Sequence, residues 1–358
     1  MSTLIYDLSL PEIETLLLAW GEPAYRARQV WQGLYQLFWS DPTLFTFLPN
    51  PLRTKLAEHF QFEALAPITT LRSSDHQTIK TLFKLHDGQA IEAVLMRYEK
   101  RNTLCISTQV GCALGCVFCA TGQMGYKRHL SSGEIVAQVM YYARALQTSE
   151  FSENSEVSTV TNVVVMGMGE PFHNYDNTLA AIDRLNDPDG YNFGARRFTI
   201  STVGLIPAIR RFAAEKRQVN LAISLHAADD ALRASMLPVN KKYPVDELLS
   251  ACRDYVAATG RRITFEWALV NGVNDTPEQA RLLASKLKGL LCHVNAIPLN
   301  PTQGYPGQAT TRERAETFKE ILTQAGVPCT IRLRRGMDIQ AGCGQLASRT
   351  QASSDQQS

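Results

Sequence analysis

The chain has 358 residues, 45% of them hydrophobic, and a formal net charge of +2. That is enough apolar material for one large α/β domain with a small accessory one, and the charge argues neither for nor against a nucleic-acid partner. No apolar run approaches the ~20 residues needed to cross a bilayer. The stretch from Met1 to Asp7 lacks the basic and apolar regions of a signal peptide, so a cytoplasmic protein with no membrane attachment is expected.

Residues 1–60 read as helical. Pro11 follows Ser9-Leu10 as a helix start over 11–20, and Val30, Leu34 and Phe38 recur at helical spacing within 24–38. Residues 68–71, 79–85 and 90–97 read as short strands, with Asp87-Gly88 as a hairpin turn. Together they predict a small N-terminal helical/β accessory domain over 1–97. It carries eight Lys/Arg against ten Asp/Glu, a balance of −2 that leaves +4 for the remainder.

From residue 98 onward, short apolar strands alternate with helices. Strands are expected at 103–108, 162–166, 198–202, 220–225, 263–269 and 293–297. Helices are expected at 132–146, 175–185, 205–215, 245–259, 277–287 and 312–325, with Ser131 or Ser132 as N-cap of the first. Six β-α units predict an α/β fold, a partial (β/α)6 TIM-like barrel over 98–346, with its site at the C-terminal ends of the strands. Residues 148–161 read as a polar surface insertion and 347–358 as a disordered polar tail.

Eight cysteines in so long a chain need not be disulfides, and clustered ones point to metal or catalysis. Cys112, Cys116 and Cys119 have the spacing C-x3-C-x2-C just after the first barrel strand. Three thiolates can hold three irons of a [4Fe–4S] cubane and leave the fourth open to a small molecule. A structural zinc needs four ligands, and the loop offers three without a matching His pair. Cys252, Cys292 and Cys329 read as core residues. Basic pairs such as Lys127-Arg128, Arg196-Arg197, Arg261-Arg262 and Arg334-Arg335 would suit a phosphate backbone if they gathered around a cleft.

The cysteine triplet, with Phe118 before its last member, resembles the radical S-adenosylmethionine (SAM) superfamily. More of the chain is similar to one group within it, the RlmN-type RNA methyltransferases. The similarity runs through Val164-Val165-Met166-Gly167-Met168-Gly169-Glu170-Pro171, Ser201-Thr202-Val203-Gly204, Ser224-Leu225-His226-Ala227, Phe265-Glu266-Trp267 and Asn300-Pro301. It closes with Arg334-Arg335-Gly336-Met337-Asp338-Ile339-Gln340-Ala341-Gly342-Cys343-Gly344-Gln345-Leu346. The resemblance implies a radical SAM barrel with a C-terminal catalytic loop, and cluster ligands at Cys112, Cys116 and Cys119. It implies SAM contacts from Gly169, Glu170, Ser201, Ser224, Leu225, His226 and Asn300.

It also implies methylation at C2 of an adenine in 23S rRNA and in tRNA, consuming two SAM per turnover. One SAM methylates Cys343, and the radical made from the other activates that S-methyl group for addition to C2. Cys105 then resolves the adduct and leaves a Cys105–Cys343 disulfide. Glu92 matches the position of a proton acceptor, and residues 1–97 resemble the RNA-docking module. An electron donor such as flavodoxin and a monomeric state are expected. Gly342 departs from the Ala usual at that place and is expected to loosen a mobile loop. Methylation at adenine C8 and a zinc-bearing, non-catalytic RNA-binding protein are the competing readings.

Overall fold

The structure is a computed structural model that describes residues 3–148 and 157–347. Most of the expected polar insertion and tail therefore lie outside the described residues. Among the described residues no helix is long and apolar enough to cross a membrane.

The chain opens with a helical unit: β1 (Thr3–Leu4), α1 (Leu10–Ala19), α2 (Tyr25–Tyr35), α3 (Asn50–His59) and β2 (Phe60–Gln61). Ser9 starts α1, its N–H donating to the Glu12 carboxylate at 2.7 Å. The apolar faces of α1 and α2 bury Ile13, Leu17, Val30, Trp31 and Leu34. Asp7 fastens this unit to the rest of the chain by accepting the Gly133 N–H at 2.7 Å.

An antiparallel meander follows, with β3 (Ala66–Arg72), β4 (Thr78–Lys84) and β5 (Ala90–Tyr98). Next come β6 (Arg101–Cys105), β7 (Gln109–Gly111), α4 (Ala120–Gln123), β8 (Tyr126–His129) and α5 (Ser132–Ala145). Ser131 is the N-cap of α5, and it closes a reciprocal capping box with Glu134. The repeating units then run through β9 (Asn162–Val165), α6 (Tyr175–Asn186), β10 (Phe198–Thr202), α7 (Ile206–Ala214) and β11 (Asn220–Ser224). They continue with α8 (Asp230–Met236), α9 (Val245–Thr259), β12 (Ile263–Leu269), α10 (Pro277–Leu287), β13 (Cys292–Pro298), α11 (Arg312–Gln324) and β14 (Cys329–Ile331).

These strands form one ten-stranded sheet in the order β14-β13-β12-β11-β10-β9-β6-β5-β4-β3. Strands β6 and β9 to β14 run parallel, and their β-α alternation is the one expected for a partial barrel. Two expectations change. A short seventh parallel strand, β14, pairs with β13 from Val294↔Cys329 to Ala296↔Ile331. Its three residues are too few to show a period. The meander is also not a separate sheet, because β5 pairs with β6 at Val94↔Cys105. The boundary expected after residue 97 falls inside that hairpin, because alternation reveals a strand but not its hydrogen-bonding partner.

The sheet does not close on itself, and residues 332–347 cross its open side. The Arg332 N–H donates to Ala296 O on β13 at 2.8 Å. Farther along, Arg335 donates to Gln77 and to Arg97 O, Asp338 accepts from Ser74 N–H at 2.7 Å, and Lys80 Nζ donates to Gln340 O at 3.3 Å. This strap leads from the β13–β14 edge to the β4–β5 hairpin and carries Cys343 near its end.

Candidate active site

The cysteine triplet does not leave the barrel strand directly. It sits in the loop of a small antiparallel hairpin, β7–β8, after β6. Gly111 makes that hairpin possible: its φ is +74°, and a Cβ there would lie 1.9 Å from Gly125 O. The loop is fixed by Cys112 N–H to Gly125 O at 2.9 Å and by Val117 N–H to Met236 O at 3.1 Å. Cys112, Cys116 and Cys119 all line one cavity. Burial pushes the Cys112 thiol up to about 12 and holds Cys116 well above its ordinary value, so ionising both requires a bound cation. Among the described residues no three His, Cys, Asp or Glu side chains converge on a single metal ion. Three thiols lining one cavity fit in number the three protein ligands of a cubane with an open corner, one fewer than a structural zinc needs.

The strand ends supply the rest of this cavity: Gly169 and Glu170 after β9, Ser201 on β10, Ser224 and His226 at the end of β11, and Asn300 after β13. The Glu170 carboxylate accepts the N–H groups of Phe172 and Val203, both at 2.9 Å, and so ties two βα loops together. Burial raises its pKa to about 7. Ser201 Oγ and Ser224 Oγ face each other at 3.3 Å. His226 has a left-handed φ of 59°, and its Nδ1 accepts the Ala268 N–H at 2.9 Å. Burial lowers its pKa to about 3, so the ring is neutral and its Nε2 carries the proton. Leu225 is different from its neighbours. It is buried, it does not line the cavity, and its backbone N–H and C=O are taken by Glu266 O, Ala227 N–H and Arg233 Nε.

Cys343 lines this cavity and a second one, which also holds Cys105, Tyr98 and Arg332. Asn300 borders both. Its Nδ2 donates to Cys343 O at 3.0 Å, and its buried Oδ1 has no hydrogen-bond partner among the described residues, leaving an acceptor for a ligand. The turn around Cys343 is tightly held rather than loose: Gly342 N–H donates to Gln345 Oε1 at 3.0 Å, Gln345 Nε2 to Pro301 O at 2.9 Å, and Ala120 N–H to Gly344 O at 2.7 Å. Gly342 contributes space here. A Cβ on it would come within 2.6 Å of Asn300 Nδ2. The Cys343 side chain is exposed on the cavity wall; the protein crowded around it still raises its thiol pKa, and the Arg332 guanidinium opposes that rise. Burial lifts the Cys105 thiol to about 12.

Glu92 is not brought to either cavity. Its Oε1 pairs with Lys80 Nζ at 3.1 Å, and its Oε2 accepts the Ala347 N–H at 2.7 Å. It is not the exposed strand residue that was one reading of it, but a buried group that anchors the end of the strap.

Comparison with known proteins matches this arrangement. Residues 106–284 match the radical SAM superfamily model, and residues 4–62 match the ribosomal RNA large subunit methyltransferase N-terminal domain. The chain is 49% identical to a "Probable dual-specificity RNA methyltransferase RlmN" of Chloroflexus aurantiacus, over 96% of this chain and 93% of the relative. The chain belongs to the RlmN family. A second RlmN relative, from Myxococcus xanthus, is 48% identical over 96% of this chain and 93% of its own length. A crystal structure of a radical SAM methyltransferase from Sphaerobacter thermophilus superimposes with a TM-score of 0.93 at 50% identity, covering 97% of this chain and 99% of that one. RlmN enzymes are radical SAM RNA methyltransferases, with SAM and a [4Fe–4S] cluster as their cofactors.

Three residues of this RlmN chain carry no role in the sequence reading, although Glu266 is quoted there within Phe265-Glu266-Trp267. Glu266, on β12, lines the first cavity, accepts from Asn295 Nδ2 at 2.6 Å and has its pKa raised to about 7 by burial. A carboxylate inside the apolar run Ile263–Leu269 was its available signal. Arg332 had none. Arg233, 0% exposed, donates to the carbonyls of Val203, Ser224, Leu225 and Tyr243 and to Asn240 Oδ1. It fastens the loops after β10 and β11.

The basic pairs do not gather at one cleft in this RlmN fold. Arg128 is held by Asp87 and Glu134, and Arg211 and Arg217 are held by surface carboxylates. Arg196, Arg261 and Arg262 lie beside Thr199, Asn220 and Thr264, at the opposite ends of the strands. Arg334 and Arg335 remain at the mouth.

Proposed function

We propose that this chain methylates C2 of one adenosine in 23S rRNA and of the adenosine 3′ to the anticodon in tRNAs. The observation that carries this reading is the position of Cys343, on the wall shared by the cluster-side cavity and the Cys105 cavity.

In this reading Cys112, Cys116 and Cys119 hold the cluster, which when bound supplies the electron for reductive SAM cleavage. Glu170 receives the ammonium group of SAM, and Gly169, Ser201, Ser224, His226 and Asn300 contact the rest of it. Leu225 serves only by keeping the segment between Ser224 and His226 in place. Arg332, beside Cys343, favours the thiolate that displaces the methyl group of a first SAM, forming the S–CH3 bond as the sulfonium bond breaks. Adenine C2 is an electron-poor carbon, so the methyl carbon reaches it by radical addition after a second SAM has been consumed.

The product is then joined to Cys343 through sulfur. The adduct carries one unpaired electron. As the C2 proton leaves, Cys105 attacks that sulfur as a thiolate and the sulfur–carbon bond breaks. The departing carbon takes a proton from water to become the methyl group, and one electron passes to a one-electron acceptor such as an oxidised iron–sulfur centre would be. A Cys105–Cys343 disulfide remains for external reduction. Glu92 accepts the C2 proton when the end of the strap lifts Ala347 away from it. Residues 1–97 form the RNA-docking part, a role supported by the match of residues 4–62 to the methyltransferase N-terminal domain. An electron donor such as flavodoxin reduces the cluster.

Anaerobic turnover of the reconstituted enzyme on 23S rRNA and on tRNA, followed by nucleoside mass spectrometry, tests this. We expect 2-methyladenosine in both RNAs. A product of 8-methyladenosine, or two unmodified RNAs, overturns the assignment.

A further inference from the structure

The residue at odds with its surroundings is Leu333. It is 84% exposed, whereas the next most exposed large hydrophobic side chain among the described residues, Tyr25, reaches 54%. A single exposed leucine is ordinary on a protein surface. This one lines the cavity that holds Cys105 and Cys343, on the strap that crosses the open side of the sheet.

The backbone does not leave Leu333 free to fold away. On one side, Arg332 donates its N–H to Ala296 O at 2.8 Å, and its half-buried charged head lies near Tyr98, Glu266 and Cys343. On the other side, the Arg335 guanidinium lies 4.3 Å from the centre of the Tyr98 ring and donates to Arg97 O at 3.1 Å. Leu333 and Arg334 are therefore presented to solvent between two anchored arginines.

The surroundings suit a polyanion. Among the described residues no Asp or Glu lines this cavity, whereas Arg332, Arg334 and Arg335 do. Arg101 stacks on the same Tyr98 ring at 4.2 Å. An apolar tip ringed by arginines, beside a cavity where a base must meet a sulfur, matches a side chain that enters a base stack.

We propose that Leu333 is a wedge: it inserts into the RNA stack beside the target adenosine and fills the gap the base leaves on entering the Cys105–Cys343 cavity. The inference rests on the reading of this chain as an enzyme acting on an unstacked adenosine. Unstacking a base costs a few kcal/mol, and an apolar side chain in the vacated position offsets part of that cost.

The test uses the cluster-loaded, full-length protein and a tRNA anticodon stem-loop carrying 2-aminopurine at the target position. The fluorescence of that base rises when it leaves the stack. Wild type is expected to raise the signal on binding. Leu333→Ala is expected to bind the RNA with an affinity within about threefold of wild type by anisotropy, while most of the fluorescence rise disappears. Leu333→Phe is expected to restore the rise. Leu291→Ala, which alters another exposed leucine (51%), is expected to leave it unchanged. A full fluorescence rise with Leu333→Ala overturns the wedge. Failure of wild type itself to bind the stem-loop, with 23S rRNA also unbound, overturns the underlying reading instead.

Discussion

Asn300 and Cys343 are joined by a hydrogen bond from the side-chain amide of one to the backbone carbonyl of the other, at 3.0 Å. The bond fixes Cys343 at the border of two cavities and leaves Asn300 Oδ1 as a buried acceptor without a partner among the described residues. Asn300→Asp removes the donor and sets a carboxylate against a carbonyl. We expect Cys343 methylation to slow by at least about tenfold, equivalent to ~1.4 kcal/mol, as followed by intact-protein mass spectrometry. An unchanged rate shows that the bond does not position Cys343.

The two cysteines are separable by their failures. Cys343→Ala is expected to accept no methyl group and form no product while still cleaving SAM slowly. Cys105→Ala is expected to accumulate a covalent protein–RNA adduct, visible as a shifted band on a denaturing gel. Free methylated RNA at the normal rate from the second variant removes Cys105 from the mechanism.

Gly111→Ala places a Cβ against Gly125 O at a backbone angle that L residues rarely adopt. The hairpin that bears the cysteine loop must shift. We expect reconstituted Gly111→Ala to hold less than half the iron of wild type, as measured by metal and sulfide analysis, with unfolding of the rest of the chain little changed.

Arg233 is a buried cation whose hydrogen-bond partners are all neutral oxygens. Arg233→Met leaves several backbone carbonyls without donors, and Arg233→Lys cannot reproduce the planar fork. We expect both variants to lose about 3–5 kcal/mol of stability in urea unfolding.

Glu266 gives the cluster-free protein a pH dependence of known sign. Burial raises its folded pKa to about 7, above the 4.5 of a free glutamate. Its contribution to stability is therefore fully present below about pH 4.5 and is lost as pH rises through about 7. The loss is up to about 3 kcal/mol. Thermal unfolding at pH 5 and pH 8 should show this decline in wild type and a smaller one in Glu266→Gln.

Much of the fold was legible because its signals are local. The β-α alternation after residue 98 and the N-cap at Ser131, one of two candidates, are short-range patterns, and they appear where expected. β14 was missed because three residues carry no period. The continuity of the meander with the barrel was missed because the β5–β6 pairing is a hydrogen-bonding fact and not a pattern. Glu92 shows the same limit at the site. Its motif position suggested a proton acceptor, and only the tertiary structure shows that its carboxylate is held by Lys80 and Ala347, so that role requires the strap to release it.

The sequence alone determined the reagents. The C-x3-C-x2-C spacing, the Gly169-Glu170 turn and the serines at the strand ends are each set within a few residues, because loop ligands and strand termini are local objects. Only the tertiary structure decided how they are used. It set Cys343 on the wall between the cluster-side cavity and Cys105, sealed Glu92 beneath the strap, buried Arg233 under the mouth and left Leu333 facing solvent. Cys105 and Cys343 lie more than 200 residues apart in the chain, and they share a cavity because the strap crosses the open side of the sheet and packs there, which leaves no mark in neighbouring residues.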